Sequence, residues 1–498
     1  MALTNLDPIR KSLETFNEEI ERELYQNFSG QQDEVDTDSI YARYASVFEN
    51  VDLVDEVGGR RSFGSPGDRA RMQYLYGYLV GGYIGRKTTT IDDKIHLTEA
   101  KSEVEADGRK MSFHSVPVVL ANEPDHAKRE VIDRARDPVF TTLNPLFQER
   151  LDKAYQIAGD FNYDGYQAMC QDIKGIDLDA LGAQMQGFLH RTDRLYTRHF
   201  RDLCKNVLGL GLADVRKHDI GFLFRAPELD KFFVADRMMK VLDDTLDCVG
   251  LSLSDRPNIH VDAEPREKKR PRAFCSAIRV PDDVVLCIRP QGGMDDYRAL
   301  FHEMGHAQHF GNVSPDLAFE FKYLGDTGLS ETYAFLFDHL PGNRDWLSRH
   351  FELTEEDIVR ITQFTSFHLL FMVRRYAAKL LYELELHAGA PNPGRLYAQY
   401  LGDALKFRHP ENQYLFDVDT GFYSADYLRA WMLEVQLRNR LAEDFGTEWW
   451  CSRGAGDYLK KLWHDGQKLG CDRMAQNIGY FGIDDSPLIK ELEKSLRY

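Results

Sequence analysis

Long apolar runs are missing from this chain. Nothing in its 498 residues reaches the roughly eighteen consecutive apolar side chains of a membrane span, and the stretch from Tyr74 to Ile84 is short and rich in Gly and Tyr. Cysteine is scarce too. The seven residues, at positions 170, 204, 248, 275, 287, 451 and 471, are odd in number, scattered and never in CxxC spacing. That pattern suggests neither a thiolate zinc site nor a disulfide framework, and it points to a reducing compartment. A basic face is lacking as well. The 62 Lys+Arg against 80 Asp+Glu leave a net charge of −18, and Lys268-Lys269-Arg270 is only a short run. Neutralising phosphates needs a basic face, so no nucleic-acid partner is expected. Met1 to Pro8 show no basic segment followed by an apolar run, so no secretory signal is expected either. These absences together predict a soluble cytoplasmic protein with no membrane partner.

What is present is core and helix. The 43% hydrophobic content is too high for a disordered chain, and the length predicts two to four lobes at roughly 150 residues each. Apolar residues recur at three- and four-residue steps from Pro8 to Tyr25, Asp137 to Ile157 and Leu178 to Val207. They do so again from Ala235 to Val249, Ile358 to His387 and Ala425 to Phe445, so helices are expected in all six places. Strand pattern is rare. Arg272 to Val280 and Val284 to Arg289, joined by Pro281-Asp282-Asp283, predict a hairpin, and Asn258 to Asp262 an earlier strand. Gln31 to Thr37 reads as a loop, and Lys87 to Arg109 as charged and irregular. There is no internal repeat and no Pro/Gly/Ser linker, so the division into a helical region 1–110 and a helical catalytic region 111–498 is a soft one.

The chemistry-bearing segment is Leu300-Phe301-His302-Glu303-Met304-Gly305-His306-Ala307-Gln308-His309-Phe310. Two histidines four apart on a helix differ by about 40° in azimuth and about 6 Å in rise, so both imidazoles point to one side and can bind one zinc ion. Glu303 sits about 100° further round than His302, where a carboxylate flanks a metal and can exchange protons with water and a leaving amine. The flanks are apolar, and ionisable groups on a buried helix need a reason. A catalytic zinc site takes a third protein ligand and keeps a fourth position open. The helix should stop at Gly311-Asn312, and a second should start near Ser330, offering Glu331. Glu331 is equally an ordinary first-turn Glu favoured by the helix dipole, and Glu320 competes for the ligand role. Asp338, seven residues past Glu331 on the same face, is a candidate to orient a ligand histidine, or else a solvated residue at a helix end.

This motif resembles the M3 family of zinc metallopeptidases, the thimet oligopeptidase and oligoendopeptidase F group of gluzincins. That family has Phe-His-Glu-Phe-Gly-His-x-x-His, followed by a zinc-binding Glu 25 residues beyond the second His, which is Glu331 here. Its later acidic position falls on Asp338. Lys269-Arg270-Pro271-Arg272-Ala273-Phe274-Cys275 resembles the family segment that lines the substrate channel, making Ala273, Phe274 and Cys275 candidates for substrate binding. Tyr423-Ser424-Ala425-Asp426-Tyr427, with Trp431 and Glu434-Val435, resembles its tyrosine-rich segment. The match covers roughly 255–485. Met304 replaces the usual Phe, Ala430 stands where the family has a second transition-state tyrosine, and Val418 where it has a histidine; His409 is a conceivable substitute.

The resemblance implies a mainly α, two-lobed fold with a central channel and one small sheet beside the metal-binding helix. It implies one zinc ion per chain held by His302, His306 and Glu331, with short peptides as substrates. Glu303 would act as proton carrier and Tyr427, then Tyr423, as donor to the oxyanion. A carboxypeptidase or peptidyl-dipeptidase on a related fold, a zinc-binding scaffold without catalysis, and a non-peptidase amidohydrolase are the competing readings. Side-chain preference and oligomeric state are not legible.

Overall fold

The computed structural model describes residues 5–497 and is 70% helix and 5% strand, which makes it a mainly α protein. All six periodic segments are helical: Asp7–Phe28, Asp137–Asp160, Leu178–Leu203, Met238–Val249, Glu355–His387 and Tyr423–Phe445. Several bury one stripe, whereas Tyr423–Phe445 is buried on nearly every side from Ser424 to Leu437. In Leu178–Leu203 the stripe is Leu181, Met185, Phe188, Thr192, Tyr196 and Phe200, stepping by three or four as an amphipathic helix requires.

The chain divides into two compact units, each drawn from three stretches. One contains Met1–Tyr83, Glu228–Thr362 and Arg429–Leu488; the other Ile84–Pro227, Gln363–Leu428 and Ile489–Tyr498. The crossings at 83/84, 362/363 and 428/429 fall inside the helices Pro66–Lys101, Glu355–His387 and Tyr423–Phe445. Continuous helix needs no Pro/Gly/Ser linker, which is why the composition shows none there.

The first unit holds the three-stranded sheet. With β1 (Glu103–Ala106) and β2 (Arg109–Ser112) forming a hairpin in the other unit, its strands are β3 (Ile259–Asp262), β4 (Phe274–Arg279) and β5 (Asp283–Cys287). The order is β3-β5-β4, with β3 parallel and β4 antiparallel to β5. Phe274 pairs with Cys287 and Cys275 with Leu286, so the expected hairpin is present. β4 lies at a sheet edge, and the helix Met294–Gly311 packs on β4 and β5.

Two expectations are corrected. Lys87 to Lys101 is helical rather than irregular, because Ile91 and Ile95 form a buried stripe beneath the charges, and β1–β2 then follow. Their turn is Asp107-Gly108, both at positive φ (52° and 69°), a sound hairpin signal that four-residue strands were too short to make visible. Cys248 and Cys451 form a disulfide across 203 residues, joining the end of the Met238–Val249 helix to the turn at Trp449–Cys451. Spacing in sequence carries no information about a pair brought together by the fold. The short basic run, from which no basic face is expected, is partly tied up in the fold. Lys269 is buried, donating to Asp262 Oδ1 (2.9 Å) and the Asp262 carbonyl (2.7 Å), and the Arg270 guanidinium lies over the Phe28 ring. No helix among the described residues is long and apolar enough to cross a membrane.

Candidate metal centre

The motif lies on the helix Met294–Gly311, which stops where expected. The second helix runs Thr327–Asp338, starting three residues earlier than the sequence suggests because Asp326 caps it, accepting from Gly328 N at 3.1 Å. The two helices pack directly on one another. Gly305 sets that approach. A Cβ built there would stand 2.5 Å from the Tyr333 carbonyl oxygen and 2.6 Å from Ala334 Cα, both backbone atoms that cannot turn aside. The glycine between the two motif histidines is thus the point at which the Glu331 helix presses on the histidine helix, and the sequence reading passed over it.

This packing brings His302, His306 and Glu331 together, with one donor atom from each inside 4.8 Å. Glu331 Oε2 lies 3.4 Å from His302 Nε2 and 3.8 Å from His306 Nε2, and the two rings stand at 82° with centroids 5.0 Å apart. Two imidazole nitrogens and a carboxylate oxygen aimed at one point form a donor set that fits zinc. Glu320 is excluded from that set. It is fully buried and held by Arg10 Nε (2.6 Å) and Arg71 Nε (3.1 Å).

The electrostatics follow from burial and neighbours. Desolvation pushes the Glu303 carboxyl up to about 7, the His302 ring and Arg272 opposing and Glu331 adding; the Cys275 backbone N–H, donating to the carboxylate, also opposes. Burial drives His306 down to about 4, so its ring is neutral and its lone pair available. Burial also works against charge on His302, but its hydrogen bond to the Glu331 carboxylate, with Asp338 and Glu303 nearby, raises it overall.

Polar groups stand behind both histidines. Asp338 Oδ2 stands 3.9 Å from His302 Nδ1, and Arg298 grips the same carboxylate through Nε (2.8 Å) and Nη2 (3.2 Å). His306 Nδ1 meets a residue the sequence reading missed, Ser330, whose Oγ is 2.9 Å away. Its only sequence signal is adjacency to Glu331. Phe335 packs edge-on to the His302 ring and stacks on Trp431.

The candidate substrate segment opens β4. Ala273 is buried, Phe274 meets Phe28 edge to face, and burial pushes the Cys275 thiol up, the Glu303 and Glu21 carboxylates adding to the rise. Tyr423 and Tyr427 belong to the other unit. Their rings touch one another (5.1 Å between centroids), and Tyr427 also touches Tyr376 (5.2 Å). His409 stacks on Phe407 at 4.5 Å and burial drives it down to about 3, so it is a packed neutral ring. Ala430 is fully buried.

A second histidine group, His126, His218 and Asp219, occurs in the unit that holds Tyr427. Its carboxylate is already matched. Buried Arg129 donates to Asp219 Oδ1 through Nε (3.0 Å) and Nη2 (2.8 Å), and His126 Nδ1 is 2.8 Å from the same oxygen. A guanidinium on the shared oxygen repels a second cation, so this group reads as a buried ion pair.

Compared with family models and with curated proteins, the chain matches none.

Proposed function

We propose that this protein is a zinc-dependent peptidase that hydrolyses peptide bonds in short, unstructured peptides. The observation that carries the reading is the meeting of His302 Nε2, His306 Nε2 and Glu331 Oε2 at one point, with the Glu303 carboxyl beside it. The motif's likeness to the thimet oligopeptidase and oligoendopeptidase F group supports it.

One zinc ion per chain would be held by His302, His306 and Glu331, and when bound it supplies Lewis acidity. Glu303 takes the proton from the attacking water and returns it to the leaving nitrogen. The Cys275 N–H holds that carboxylate in place. In the resembling family the tyrosine-rich segment supplies an O–H donor to the oxyanion, a role that would fall to Tyr427, with Tyr423 next to it. Edge strand β4, opening with Phe274 and Cys275 after Ala273, grips the substrate as an added extended strand through backbone hydrogen bonds. The central channel of the resembling family, which admits short chains and excludes folded ones, belongs to the same proposal.

The test combines metal analysis with a digest of mixed peptides read by mass spectrometry. One zinc per chain, internal cleavage abolished by a chelator and restored by zinc, and a Glu303→Gln variant that keeps zinc while losing nearly all turnover are expected. Cleavage confined to the last residues, and lost when the C-terminus is blocked, would replace the endopeptidase by an exopeptidase. Zinc without any cleavage would leave a metal-binding scaffold.

A further inference from the structure

Ser330 is buried, and its hydroxyl is shared by two rings: His306 Nδ1 at 2.9 Å and His309 Nδ1 at 3.3 Å. A serine hydroxyl has one proton to give and lone pairs to accept with. It cannot donate to both nitrogens, and two N–H groups pointed at it would leave its own proton without a place. One ring must therefore donate and the other accept. The metal-centre reading decides which, since a cation at the shared point needs a lone pair there. His306 turns Nε2 toward the point it shares with His302 and Glu331, so its Nε2 carries the lone pair and its Nδ1 the proton. His306 Nδ1–H then donates to Ser330 Oγ, and the Ser330 O–H donates to His309 Nδ1. The remaining His309 proton sits on Nε2, which is buried and makes no direct hydrogen bond. His309 is fully buried and fixed between Phe310 (4.9 Å, stacked) and Tyr333 (4.9 Å), so the far end of the relay does not move.

We propose that Ser330 and His309 are positioning residues that lock the His306 ring in its Nδ1–H tautomer and orientation, leaving the Nε2 lone pair aimed at the metal point. The inference rests on the metal-centre reading. It assigns the two ligand histidines different supports: a carboxylate, Asp338, near His302, and a neutral hydroxyl chain behind His306. It also gives the third histidine of the motif a role without making it a ligand.

Two readouts on the full chain test it. Zinc affinity from competition with a chromogenic chelator should fall about 10- to 100-fold in Ser330→Ala, the usual loss when a ligand's hydrogen-bond partner is removed, and stay within about threefold of wild type in Ser330→Thr. His309→Phe keeps a ring in the same slot and removes the acceptor, so an intermediate loss is expected; it also serves if Ser330→Ala fails to fold. The second readout needs no metal. In zinc-free protein with 15N-labelled histidine, the His306 ring, assigned by its loss in His306→Gln, should show a protonated Nδ1 in the wild type and mixed tautomers in Ser330→Ala. A wild-type His306 protonated at Nε2 or averaging between tautomers overturns the inference whatever the metal does. So does a Ser330→Ala variant with unchanged tautomer and affinity. A fixed tautomer that depends on Ser330, in a protein that holds no zinc, upholds the positioning and removes the metal reading instead.

Discussion

At the scale of single residues, the same physical term acts in opposite directions on neighbouring groups. Burial raises the Glu303 carboxyl and lowers the His306 imidazole, because each is charged in the opposite protonation state. Tyr427 is the residue whose part is carried by resemblance most and by geometry least. If it donates to the oxyanion, Tyr427→Phe should lower kcat about 100-fold with little change in KM, since the bond exists only in the transition state. Equal turnover would take Tyr427 out of the reaction. A second buried carboxyl offers a test of stability rather than catalysis. Burial pushes Glu383 from an ordinary 4.5 up to about 8, Lys379 pulling it down and Asp419 adding to the rise. The folded protein keeps a proton that the unfolded chain releases above 4.5. Stability from this group is therefore full below pH 4.5 and is lost as pH rises toward 8, by a few kcal/mol. Glu383→Gln keeps the shape and removes the titration. Melting curves between pH 5 and 8.5 should flatten in this variant, with the largest gain over wild type at the alkaline end. Parallel pH profiles would assign the decline to other groups.

At the scale of elements, the candidate centre is a product of one helix–helix contact. The histidine helix can place two imidazoles on one side by periodicity alone, but the carboxylate arrives only because Thr327–Asp338 comes close enough at Gly305. A methyl group there must displace the Tyr333–Ala334 backbone. Gly305→Ala should destabilise the protein by about 1–3 kcal/mol through overpacking and weaken zinc binding more than any surface variant of the same stability loss. Denaturant titration paired with chelator competition checks both. Normal zinc affinity in a folded Gly305→Ala protein would mean that the two helices tolerate a shift without losing the ligand set. The edge position of β4 has the same character: it follows from the sheet order β3-β5-β4, in which the strand earliest in sequence pairs in parallel with the last.

At the scale of the whole molecule, the chain returns to each unit after long excursions, and Cys248–Cys451 ties two such returns together within one unit. Closing 203 residues removes much unfolded-chain entropy, about 5 kcal/mol on the chain-entropy model, which is the upper end for a natural bond. Cys248→Ser, or reductant on the wild type, should lower the melting temperature by several degrees. Reductant should not lower the variant further. A wild-type melting temperature indifferent to reductant would show that packing, not the bond, holds this corner.

Much of this was legible in local order. The six helices were visible because an amphipathic helix writes its buried stripe every three or four residues, and the hairpin because alternation and a turn are also local. His302, Glu303 and His306 were visible as a trio because their spacing equals about one helical turn. Glu331 was a candidate among others, and tertiary packing separated it from Glu320 by giving the latter two arginines. Ser330, the role of Gly305, the Cys248–Cys451 pair and the three-piece units were not legible from spacing. Each depends on which distant segments meet, and that is settled by the packing of whole faces rather than by the order of residues along any one of them.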